Sequence, residues 1–177
     1  MAEGLLKNGV TGFLPTTMTL PWEQTEQAFR MVRGLMPESL KGTFLGSQIL
    51  GVHAEGPFVN PAFKGAQSEK GIIPLDAEKL IAFKDIIKIV TMAPEMAGGI
   101  DFILKIRESS NITVSIGHSG ADYELALAAI HAGVSYVTHL FNAMSGLHHR
   151  KPGVVGAALS TEVYTEIIAD TLHIHPG

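Results

Sequence analysis

Thr138-His139-Leu140-Phe141-Asn142-Ala143-Met144 is the stretch that decides the fold. The run before it, Val134-Ser135-Tyr136-Val137-Thr138, is largely apolar and ends on a histidine, with an amide and a small residue close behind. A buried strand that opens on a polar group at its C-terminal mouth has this form. Two other stretches share it. Ile49-Leu50-Gly51-Val52-His53-Ala54-Glu55-Gly56-Pro57-Phe58 ends a strand in an acid, and Thr113-Val114-Ser115-Ile116-Gly117-His118-Ser119-Gly120 ends one in a histidine. A lone strand-end histidine is ordinarily a hydrogen-bonded structural group. Three strand ends of compatible chemistry point instead to one site made of Glu55, His118 and His139.

Outward from these stretches the chain alternates. Residues 1–9 read as the tail of a helix stopped at Gly9, and Val10 to Thr17 as a strand. A helix starts at Pro21 and carries Trp22, Ala28, Phe29, Val32 and Leu35 at helical spacing. Gln48 to His53 and Lys88 to Ala93 are strands, the second closed by Pro94-Glu95. Asp76 is placed to cap a helix reaching about Lys84. Helices are expected over 100–107 and 121–132, a short one near Gly156 to Leu159, and a last strand over 164–169. Two long segments, 54–73 and 140–156, lack apolar periodicity, and long loops of that kind are usually functional.

Apolar strands alternating with amphipathic helices mean a parallel sheet covered by helices. No Gly-x-Gly-x-x-Gly follows the first strand, which weighs against a dinucleotide fold. Polar candidates at the C-terminal ends of several strands are the (β/α)8 TIM-barrel arrangement. Six strands fall short of eight, so residues 1–177 are expected to be a partial barrel domain, about strands 2–7.

Composition narrows the function. With 46% hydrophobic and 17% charged residues the chain is globular. A net charge of −4 gives no basic field for a nucleic acid. The absence of cysteine excludes disulfides and thiolate metal sites, so a metal must use His, Asp or Glu, and it leans mildly to a cytoplasmic location. No apolar run reaches the ~18 residues of a membrane span, and no signal peptide is expected. One carboxylate and two imidazoles suit a divalent cation such as Zn²⁺ or Fe²⁺ and leave a coordination position open.

The remaining polar residues divide. His53 shares a side with Glu55 and reads as a partner behind the ligands. His131 reads as structural, His175 as peripheral, and the methionines as core filler. Arg150 and Lys151, in a Gly- and Pro-bounded loop, are either a solvated pair or a phosphate contact. Asn142 is a turn residue or, with the Ala143 backbone, a hydrogen-bond partner for a sugar hydroxyl or phosphate. His173 orients substrate or caps a loop.

GVHAEGPFVNPAFKGAQ (51–67), SIGHSGADYELALAAIHAGVSYVTHLFNAM (115–144), KPGVVGAAL (151–159) and IIADTLHIHP (167–176) together resemble the N-acetylglucosamine-6-phosphate deacetylase family of the amidohydrolase superfamily. The stretches stand in the family's order. The pairing of HxEGPF with THLFNAM is highly specific. The resemblance implies that Glu55, His118 and His139 hold the catalytic metal, most simply zinc. It implies that Ala66, Gln67, Asn142, Ala143, Asp170 and His173 meet substrate. Arg150 is similar to the phosphate-binding arginine donated across a homodimer interface. Gln67 departs from a frequent histidine, and Thr171 from a glycine. The implied reaction hydrolyses the acetamide of N-acetylglucosamine 6-phosphate, a small amino-sugar phosphate, to acetate and glucosamine 6-phosphate. The family's general acid/base aspartate matches no residue here and is expected beyond Gly177, so no catalytic acid or base is assigned within the chain. Two other readings stay open: a non-catalytic piece of such an enzyme, and an amidohydrolase acting on a cyclic amide.

Overall fold

The computed structural model describes residues 1–177. Helix α1 (Ala2–Lys7) leads into β1 (Gly12–Phe13) and β2 (Thr16–Thr17), then α2 (Trp22–Ser39), β3 (Gln48–Ile49) and β4 (Val52–Glu55). Helix α3 (Ala77–Ile81), β5 (Ile87–Met92), α4 (Gly99–Ser109), β6 (Thr113–Ile116) and α5 (Tyr123–Ala132) follow. Strand β7 (Tyr136–Val137), α6 (Gly153–Leu159) and β8 (Tyr164–Thr165) complete the chain. The caps follow from local chemistry. Asp76 Oδ1 accepts from Glu78 N at 3.1 Å at the start of α3, and Asp122 Oδ1 from Leu125 N at 2.8 Å at the start of α5.

Strands β2, β4, β5, β6, β7 and β8 form one parallel sheet in chain order, and β1 pairs with β3 in a separate parallel ladder. Each of the first two expected strands is thus two short ones. One break falls at Leu14-Pro15, where proline has no donor for the ladder. The other falls at Leu50-Gly51, where Gly51 takes φ +149° and a Cβ would lie 2.5 Å from the Ile86 carbonyl oxygen. The last strands are also shorter than expected: β7 covers two residues of 134–138, and β8 two of 164–169.

Neighbouring strands that follow chain order, with right-handed crossovers, put successive helices on one face. The core agrees. Val52, Ala54, Val90, Met92, Val114, Ile116 and Val137 pack in one cluster with Phe29 of α2, Leu80 of α3, Phe102 and Ile106 of α4, Ala126 of α5 and Val154 of α6. The register puts the other side chains of the same strands on the opposite face: His53 and Glu55 beside Thr91, then Ser115, then Tyr136. The strands look continuously apolar in sequence, yet one face is polar. Of the methionines, Met92 and Met144 are buried, whereas Met18 and Met31 are exposed. Met31 lies on the solvent side of α2, so core filling explains only part of the set.

Candidate metal centre

Glu55 is the last residue of β4. His118 lies two residues past β6, and His139 two past β7. Both histidines adopt left-handed backbone, φ +50° and +34°. Phe141 (+79°) and Ala143 (+51°) do the same. For a residue with a Cβ this conformation costs ~1–2 kcal/mol, so four of them in one region mark strain that the surroundings must hold.

Three donor atoms converge. His118 Nε2 lies 2.8 Å from Glu55 Oε1, His139 Nε2 lies 3.1 Å from the same oxygen, and the two Nε2 atoms are 3.1 Å apart. His118 and His139 are buried and Glu55 nearly so. The tautomer of His118 follows from its other nitrogen, which is 3.0 Å from the Phe63 carbonyl. A carbonyl only accepts, so Nδ1 carries the hydrogen. In that tautomer Nε2 aims its lone pair at a carboxylate and at a second imidazole. A cation resolves that crowding of acceptors. Tetrahedral coordination with bonds of ~2.0–2.1 Å needs ligand atoms ~3.3 Å apart, close to the observed triangle. The residues therefore fit a divalent metal, and they are a His/Glu cluster able to hold one.

Electrostatics point the same way. Burial acts to raise the Glu55 pKa, but the imidazoles of His118 and His139 beside it overcome this and hold the carboxyl far below its usual range. Burial acts to lower His139, and the Glu55 carboxylate reverses this, so the imidazole pKa is raised. His139 Nδ1 is buried without a partner.

Beneath the ligands runs a chain of hydroxyls. His53 Nε2 is 2.6 Å from Thr91 Oγ1, which is 2.7 Å from Thr138 Oγ1, which is 2.6 Å from Ser115 Oγ. His53 touches none of the three ligands but reaches His139 through its neighbour Thr138, as a partner behind them. Burial lowers its pKa, so it is neutral near pH 7. Gly117 leaves room for this chain: a Cβ there would lie 2.6 Å from Thr91 Cγ2 and 3.1 Å from Thr138 Cβ.

The other expected contacts take varied positions. Gln67 is buried, and its Oε1 accepts from Thr19 N at 2.6 Å, while Ala66 beside it is exposed. Asn142 is half-buried, and Ala143 O accepts from Ser119 N at 3.2 Å. Arg150 is exposed, with its backbone N donating to His148 Nδ1. Asp170 and His173 pair, Nδ1 to Oδ2 at 2.7 Å. Asp170 Oδ1 also accepts from the backbone N of Leu172 and His173, and these bonds pull its carboxyl down to about 2. His131 is exposed on α5, not packed.

Two acids escaped the sequence reading. Glu166 accepts from Tyr136 Oη and His139 N, each at 3.3 Å. Glu95 accepts from Asn60 Nδ2, Ser119 Oγ and Gly120 N at 2.8, 2.7 and 2.6 Å. Glu95 follows a proline at a strand end, which alone signals only a turn.

No family model matches the chain. It is 41% identical over 181 residues to the N-acetylglucosamine-6-phosphate deacetylase of Bacillus subtilis, covering 99% of this chain and 45% of that protein. The Bos taurus enzyme of the same name is 36% identical over 192 residues, again with 45% of its length covered. The solved N-acetylglucosamine-6-phosphate deacetylase of Thermotoga maritima superposes with a TM-score of 0.88 at 35% identity, covering 98% of this chain and 46% of that one. A mutant of the Mycobacterium smegmatis enzyme, solved in complex with N-acetyl-D-glucosamine-6-phosphate, gives a TM-score of 0.78 at 30% identity over 93% of this chain and 42% of that one. The chain thus spans about 45% of the length of the curated relatives it matches.

Proposed function

We propose, starting from the fact that the chain belongs to the N-acetylglucosamine-6-phosphate deacetylase family, that it carries the metal centre of a deacetylase acting on N-acetylglucosamine 6-phosphate. The observation that carries this reading is the Glu55, His118 and His139 triangle, with edges of 2.8 to 3.1 Å at three strand mouths. Zinc is the ion we assign, with iron(II) as its competitor, because two imidazoles and one carboxylate suit a borderline divalent cation. The chemistry such an ion supplies is Lewis-acid polarisation of a carbonyl and acidification of water.

The chain's own residues do the rest. Phe63 O fixes His118 with its Nε2 lone pair free for the ion. Glu166 holds the backbone of His139. Asn142 and the strained Ala143 lie on the loop after His139, where a sugar phosphate would be held, together with Ala66 and Gln67. Asp170 presents the ring of His173 to the same ligand. Arg150 supplies a phosphate contact to a second copy of the chain in a homodimer. Proton transfer to the leaving amine is assigned to no residue of 1–177. The six strands are part of a (β/α)8 barrel, their polar face turned to its axis, and the cytoplasm is the proposed location.

Calorimetric titration tests the reading. The protein should bind one equivalent of zinc, and only the zinc-loaded form should bind N-acetylglucosamine 6-phosphate. Glu55→Gln and His139→Ala should lose both. Parent-like zinc binding in those two variants would overturn the assignment.

A further inference from the structure

We infer that Glu95 is a positioning residue for the metal centre, bracing His118 from both sides without touching the ion. The inference rests on the metal reading above. Strands β4, β6 and β7 each offer a ligand at or just past their C-terminal ends, and β5, which lies between β4 and β6, offers none. What stands at the mouth of β5 is Pro94-Glu95.

Two routes run from Glu95 to His118. The first is through the backbone. Glu95 Oε2 accepts from Ser119 Oγ and Oε1 from Gly120 N, the two residues that follow His118. Its Oε1 also accepts from Asn60 Nδ2, and Asn60 N donates to the His118 carbonyl at 3.0 Å. The left-handed φ of +50° at His118 is thereby held from the carbonyl side and from the following turn. The second route is through the ring. Asn60 opens the 3₁₀ turn Pro61–Phe63, and Phe63 O is the acceptor for His118 Nδ1–H. Moving Asn60 moves that carbonyl and loosens the ring whose Nε2 faces Glu55. Partners behind a metal ligand typically change affinity 10- to 100-fold when removed.

All three partners of Glu95 donate to it, so the requirement is for acceptor oxygens. Glu95→Gln keeps an oxygen for Asn60 and Gly120, and its NH₂ can donate to the second lone pair of Ser119 Oγ, whose first accepts from Ala121 N. Glu95→Ala removes all three bonds.

Zinc titration of purified variants tests this, with two-dimensional ¹H–¹⁵N imidazole spectra of the metal-free protein as a second readout. Glu95→Ala should bind zinc at least ~10-fold more weakly, and its His118 should lose the single Nδ1–H tautomer of the parent. Glu95→Gln should stay within about threefold of the parent and keep the tautomer. Asp76→Ala removes a helix cap elsewhere and should lower stability without changing zinc affinity. Should Glu95→Ala not fold, Asn60→Ala and Ser119→Ala each remove one strut, and both should weaken zinc binding. Parent-like zinc affinity in Glu95→Ala, or in both single-strut variants, while Glu55→Gln has lost zinc, overturns the brace alone. Parent-like affinity in Glu55→Gln overturns the centre itself, and the brace with it.

Discussion

The Nε2 atoms of His118 and His139 face each other at 3.1 Å, with the two rings edge to face at 89°. Neither ring can turn its Nε2 elsewhere without leaving Glu55. The metal-free protein must therefore place a proton where a cation would otherwise sit.

That competition sets a pH dependence. The His139 pKa is raised above its unfolded value, so its pairing with Glu55 stabilises metal-free protein fully below about pH 6.5 and fades as pH rises through the folded pKa. Zinc needs the neutral imidazole, so its affinity should rise over the same window. The zinc-induced increase in Tm should therefore be small near pH 5.5 and larger near pH 8. An increase that is flat across that range counts against imidazole ligation. Glu55 adds no slope there, because its carboxyl already ionises far below it.

Thr91→Val keeps the shape of the side chain but removes the hydroxyl that links His53 to Thr138. Two buried polar atoms then lose a partner, and the expected loss is about 1–3 kcal/mol of stability. Urea unfolding of the two proteins checks it. An unchanged midpoint would mean that His53 and Thr138 find other partners.

Gly117→Ala should also destabilise, by about 1–3 kcal/mol, because the added methyl overlaps Thr91 and Thr138 in a tightly packed layer. Combined with Thr91→Ala, which clears the space of the nearer contact, part of that loss should return. Thermal melts of the single and double variants measure the coupling.

Phe58→Ala should cost about 3–5 kcal/mol, since the ring is wholly buried and packs on Phe102 at 5.3 Å. The segment that follows Glu55 would lose its anchor on α4. Circular dichroism during denaturant titration should show an earlier midpoint.

Much of this was legible in the letters. Apolar runs bounded by Gly, Pro and capping residues located the α-helices, although α6 begins at Gly153, inside a stretch read as loop, and the 3₁₀ turns at 61–63 and 69–71 were not foreseen. The strand-end polar residues Glu55, His118 and His139 do meet. Other features were hidden. Thr91 and Ser115 drew no notice within apolar strands, because a hydroxyl hardly disturbs hydrophobic periodicity. Their shared face appears only once register is known. Glu95 was missed because the proline before it reads as a turn, and Glu166 because it falls inside an expected strand; their partners lie 24 to 35 residues away. Met31 and His131 were misjudged because composition does not reveal which side of a helix is covered.

The alternation along β4, β5 and β6 separates two kinds of selection. Substitutions at Val52, Val90 or Val114 alter how firmly the helices sit, while substitutions at His53, Thr91 or Ser115 alter the setting of the ligands. Residues adjacent in the chain thus answer to different demands. A directed library confined to the polar-face positions could explore new chemistry at this centre while keeping the apolar cluster that seats the helices.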